Sequence, residues 1–245
     1  MTWQRGDGWA VTTTVAFSAA LGFAFWNEFP WLAVLPLVLL IAAWAFVRLE
    51  WLLGLLVFSV PLSFNLEALD IGGIGLYLPT EPLLAGLLVL FLARSMLGWP
   101  VEERLLRHPL SKIIGLMLLW IAFTATTSDM PLVSFKFFAA RAWFVVGFFY
   151  LIGHAFLKRR SALDQFVLLY TIPLAGVIIY TVIRHAGYSF DKDAGHWVMW
   201  PFFKDHTSYG AVLAMWVPPL LALLWDRHRP ALHRLLLGGL FSILA

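Results

Sequence analysis

The chain has 245 residues, 61% hydrophobic and 13% charged, with a formal net charge of +3. Its mean hydropathy is +0.83; soluble domains are roughly half apolar and about a quarter charged, so one core cannot hide this excess and lipid must cover much of it. The absence of cysteine excludes disulfides, thiolate metal centres and cysteine nucleophiles. The cations are scattered at the ends of apolar runs, which fits membrane topology and not a nucleic-acid-binding face.

These features predict an all-α fold, a polytopic transmembrane helix bundle forming a single domain over 1–245. Apolar runs place spans near 9–27, 30–47, 51–64, 82–98, 110–127, 134–157, 164–183 and 207–225, with a ninth starting about 235. Arg5 precedes the first run. Asp7 and the lack of a small-residue cleavage site argue for an uncleaved span and not a signal peptide.

A cytoplasmic N-terminus leaves five basic residues outside: Lys136, Arg141, Arg184, Lys192 and Lys204. The other twelve of the 17 fall inside. The run Lys158-Arg159-Arg160 and the loop 226–234 supply most of that bias, and topology accounts for both.

The stretch 65–80 is too polar to span and is expected on the outer surface, with Glu67 and Asp70 on one face if it is helical. Its Gly72-Gly73-Ile74-Gly75 run lacks the strand and helix context of a phosphate loop and reads as a turn.

In the sixth span, Lys136 and Arg141 lie inside an apolar segment, where cations are costly and usually face a cavity or a partner. Five residues apart, they diverge by roughly 140° and need not share a target. Lys136 is near enough to the outer end to snorkel. Arg141 is deeper, and its planar guanidinium suits either a structural pair or bidentate contact with diphosphate oxygens. His154, near the inner end, reads as an interfacial histidine.

The longest outer loop follows the seventh span. It interleaves charged groups from Arg184 to His206 with Tyr188, Phe190, Trp197, Trp200, Phe202 and Phe203. Aromatic faces that stack on sugars, with cations that hold phosphate, would make it a headgroup or glycan platform. An interfacial aromatic belt is the plainer alternative. The spacing of its carboxylates and histidines matches no metal-ligand pattern, so no metal is expected. Where the loop meets the eighth span, Thr207 or Ser208 can cap the helix, whose N-terminal end would favour an anion beside Lys204, Asp205 and His206.

The segment Phe203–x–Asp205-His206-Thr207–x–Tyr209-Gly210-Ala211, at the start of a span and downstream of SFKFFAARAWFVVGFFYLIGHAFLKRR, resembles the O-antigen ligase and polymerase superfamily. The resemblance covers mainly 134–225. It implies a bacterial inner-membrane glycosyltransferase that moves a glycan from an undecaprenyl-diphosphate carrier to a lipid or polysaccharide acceptor on the periplasmic face, without metal or other cofactor. Members carry a large periplasmic loop with a catalytic histidine and arginine after these spans. The sequence stops inside the ninth predicted span, so it is expected to be the N-terminal part of a longer protein.

Leaving-diphosphate stabilisation falls to Arg141, Arg184 and Lys204, with Lys136, Asp205 and His206 beside them; no catalytic base is assigned. The membrane's own lipids are further partners. A solute transporter would instead need paired intramembrane charges and an internal repeat. A non-catalytic membrane scaffold is the third alternative.

Overall fold

A computed structural model describes Gly22 and residues 48–66, 76–98, 102–159, 161–226 and 229–244. Apart from Gly22, the predicted spans at 9–27 and 30–47 lie outside the described residues, as do Glu67, Asp70 and the Gly72-Gly73-Ile74-Gly75 run. Glu50–Ala245 form one compact unit.

That unit begins with α1 (Leu49–Ser59), which tightens into a 3-10 turn at Val60–Leu62. Two short antiparallel strands follow, β1 (Phe64–Asn65) and β2 (Tyr77–Leu78), with Phe64 opposite Leu78. At the described ends of the polar stretch 65–80, Asn65 lies opposite Tyr77 in extended chain. Aromatic Phe64 and Tyr77 favour that pairing. The buried hydroxyls of Ser63 and Thr80 hydrogen-bond each other, which ties this turn to α2 (Thr80–Met96).

Next come the short α3 (Glu103–Arg107), then α4 (Pro109–Thr126), α5 (Pro131–Lys158), α6 (Ser161–Gly187), α7 (His206–Trp225) and α8 (Ala231–Leu244). Proline in the first turn of α4 and of α5 costs nothing, because no N–H there has a helical partner. Among the described residues, the helices α4 to α7 are long and apolar enough to cross a membrane.

The most apolar stretch of α6 is 50% buried within the protein, against 11% for that of α4, α5 or α7. So α6 is the central helix, and the others turn apolar faces outward, where lipid is the cover that avoids water. This is a membrane protein.

Its principal core joins α6, α7 and α8 through Val167, Leu174, Ile178, Leu220, Leu223 and Leu237. The loop after α7 is fixed to the first turn of α6 by Arg229, whose Nη2 donates to Asp164 at 2.7 Å. The first half of α5 packs instead on α4 and α2. At Val145–Leu151, α5 widens into a π-helical stretch. There Gly147 is buried so closely that an added Cβ would lie 2.6 Å from Leu84 Cδ2. Removing the side chain lets the helix backbone approach α2, the usual means by which membrane helices gain packing contacts.

Candidate functional site

The region after α6 is ordered from its first residue. The helix runs through Arg184 and His185 to Gly187, so these two side chains stand on its last turn and not in the loop. The chain then reverses with Ser189 and Phe190 at φ 55° and 56°, a left-handed conformation costly for any side chain and more so for a bulky one. Several contacts hold this reversal. The Phe190 N–H donates to the His185 carbonyl at 3.1 Å, and His185 Nε2 lies 2.9 Å from the Asp191 carbonyl. Asp191 Oδ2 accepts from the N–H groups of Asp193 and Ala194, both at 3.0 Å. The loop also has a small core of its own, Ala194, Val198 and Met199, with Phe203 and Tyr209 packed against it.

Arg184 fastens that loop to α6. Its Nη1 donates to Tyr180 Oη at 3.0 Å, to the Val198 carbonyl at 3.4 Å and to the Trp200 carbonyl. Its guanidinium carbon lies 5.2 Å from the Trp197 ring centre and within 6 Å of Tyr180 and Trp200. Tyr180 Oη in turn donates to the Trp200 carbonyl at 3.0 Å. Among the described residues no carboxylate pairs with Arg184. The cation is satisfied by carbonyls and aromatic faces, so its first task is to hold the loop.

Where the loop re-enters the bundle, Asp205 is the N-cap of α7: its Oδ1 accepts from the Ser208 N–H at 2.7 Å. The cap is thus Asp205 and not Thr207 or Ser208, because the helix begins one residue earlier than its apolar run. The Ser208 N–H, joined by its hydroxyl, holds the Asp205 carboxyl below the ordinary carboxylate range. That carboxylate already sits where an incoming anion would seek helix N–H groups, so an anion here must rely on side-chain cations.

His206, the first residue of α7, has its Nδ1 3.0 Å from His196 Nδ1 on the loop. One ring donates and the other accepts, so at most one of the two is cationic while the bond holds. Lys204, beside this pair, is exposed and forms no ion pair among the described residues.

The predicted cations do not all converge. Lys136 and Arg141 are both exposed on the first half of α5, and the Arg141 guanidinium stacks over Phe137 one turn below, at 4.9 Å. That half of α5 neighbours α4 and α2, whereas α7 neighbours α6 and α8. The structure therefore groups Arg184, Lys204, Asp205 and His206 at one loop and sets Lys136 and Arg141 on a different helix pair. Sequence reasoning weighed His196 only as a metal ligand and missed its pairing with His206, ten residues on. It also missed the Trp197–Trp200 cage around Arg184, because main-chain carbonyl partners leave no trace in side-chain spacing. Among the described residues no cluster of three or more metal-type ligands occurs. Comparison of the chain with protein-family models, with curated proteins and with solved structures finds no match.

Proposed function

We propose that this chain belongs to a membrane glycosyltransferase of the O-antigen ligase and polymerase type. It would hold an undecaprenyl-diphosphate-linked glycan at the outer face of a bacterial inner membrane, for transfer to a lipid or polysaccharide acceptor. In this proposal the N-terminus is cytoplasmic and the bundle has eight to nine spans.

The observation that carries the reading is the loop at the mouth of α7. Its backbone is braced by Arg184 and Asp191, while Tyr188, Phe190, Trp197 and Trp200 keep large aromatic surfaces exposed. Amphipathic rings fixed in place suit sugar faces at a water–lipid boundary. Lys204 is an exposed cation next to that platform, with no ion pair among the described residues, and is the group offered to the diphosphate. Arg184 acts through the loop it holds; Arg141 and Lys136 would meet a second part of the carrier or acceptor.

Among the described residues, the ion pairs Arg159–Glu50, Arg107–Glu103 and Arg229 with Asp164 and Asp226 sit at helix ends or connections.

The test is transfer from an undecaprenyl-diphosphate oligosaccharide by the native full-length protein in membranes. Lys204→Ala is expected to lower turnover about ten- to a hundredfold, less than loss of a fully buried oxyanion donor because the site is wet. Unchanged turnover in a folded Lys204→Ala protein contradicts the assignment, and solute uptake without transfer would favour the transporter.

A further inference from the structure

At the opposite end of α6, three helices line an open slot with a regular construction. Glu50, Leu53, Gly54 and Val57 of α1 line it, as do Ile152, Ala155, Phe156 and Arg159 from the end of α5, and Ala162, Gln165, Phe166 and Leu169 of α6. Each set has the spacing i, i+3, i+4, i+7, so each helix presents a single face to the same hollow. The cavity measures about 60 Å³. At about 10–15 Å³ per water-sized group, it has room for about four to six such groups in file.

The slot is graded along its length. Glu50 opens the α1 face, Arg159 ends the α5 face, and Gln165 lies near the start of the α6 face. The far end, seven residues or about 10 Å along the helices, is lined by Val57, Ile152 and Leu169. Arg159 Nη2 pairs with Glu50 at 3.0 Å, and both side chains remain substantially exposed, 45% and 65%. One carboxylate does not exhaust a guanidinium with five donors. Lys158 and Arg159 both stand exposed at this end of the slot. A polar mouth with Arg159 and Lys158 beside it, above an apolar groove, complements an amphiphile with an anionic head.

We propose that this slot is a binding site for an anionic phospholipid, the first part of one acyl chain lying between α1, α5 and α6 and the phosphate meeting Arg159 and Lys158. The site is separate from the loop at the mouth of α7 and does not depend on the glycan-transfer proposal. Lipid fits better than water because nine of the twelve lining residues are apolar and offer a water no hydrogen-bond partner.

The experiment is titration of the delipidated, purified protein with phosphatidylglycerol or phosphatidylcholine of identical chains, read by native mass spectrometry. Wild-type protein is expected to retain phosphatidylglycerol at least about fivefold more tightly. Arg159→Gln should abolish the headgroup preference while chain binding persists. Ala155→Leu, which fills the channel, should weaken both lipids. Glu50→Gln removes the competing carboxylate, should tighten phosphatidylglycerol, and serves if Arg159→Gln fails to fold. Equal retention of the two lipids by wild type, a preference that survives Arg159→Gln, or weaker phosphatidylglycerol binding in Glu50→Gln would each overturn the site.

Discussion

Replacing Gly147 with alanine is expected to destabilise the bundle by about 1–3 kcal/mol, and replacing it with leucine to destabilise it further. Two effects oppose each other. Alanine is the better helix former by about 1 kcal/mol. Against that, its Cβ would lie 2.6 Å from Leu84 Cδ2, nearer than real carbons approach, and Leu84 is fully buried, so the end of its side chain must shift within a packed interior. Leu56 Cδ2, at 3.7 Å on α1, closes another side. In a packed interior the clash outweighs the propensity.

Gly176 on α6 provides the control: an added Cβ there meets nothing within 4 Å, so Gly176→Ala should be neutral or stabilising. Thermal melting in detergent, followed by tryptophan fluorescence, reads both. Leu84→Ala in the Gly147→Ala background should recover part of the loss, the sign of direct coupling between neighbours. Gly147→Ala melting at the wild-type temperature would mean that α5 and α2 are not in close contact.

Arg184→Gln is expected to release the loop between α6 and α7. The guanidinium supplies a charge-assisted bond to the Trp200 carbonyl, a longer one to the Val198 carbonyl, and three aromatic contacts. A charge-assisted hydrogen bond is worth about 1.5–3 kcal/mol and an exposed cation–π contact about 0.5–1 kcal/mol. Their loss should speed amide exchange over residues 188–203 on the order of a hundredfold, with the α6–α8 core unaffected. Lysine keeps the charge but not the fork, so Arg184→Lys should fall between. Because Arg184 acts through the loop, glycan transfer should fall with the loss of order, and both should recover partly in the lysine variant. Unchanged exchange in Arg184→Gln would leave the loop held by its other contacts alone.

Hydropathy located the described helices closely because loop-to-apolar transitions are abrupt. The run predicted at 207–225 is the helix His206–Trp225, and that predicted at 110–127 is Pro109–Thr126. The boundary at Arg184 was misplaced, since polar residues do not by themselves end a helix; α6 continues to Gly187, where the chain turns left-handed. The π-helical stretch was not visible, because the shift from i→i+4 to i→i+5 bonding follows from packing around Gly147 and not from periodicity.

For the candidate site, composition exposed the aromatic and charged loop. The roles within it depend on distant pairings that spacing cannot reveal. Arg184 reaches carbonyls 14 and 16 residues away, and His196 meets His206 across a turn. Likewise the ion pair of Asp164 with Arg229 spans 65 residues. The α1–α5–α6 slot has three faces of correct helical period, yet each taken alone resembles ordinary core.

Photo-crosslinking of the membrane-embedded protein tests the central claim most directly. The probe is an undecaprenyl diphosphate with a photoreactive group on its first sugar, and the labelled peptides are mapped by mass spectrometry. Label within Tyr188–Tyr209, removed by excess unmodified lipid-linked glycan, is the predicted result. Competable label confined to other parts of the bundle, or no competable label at all, would contradict it.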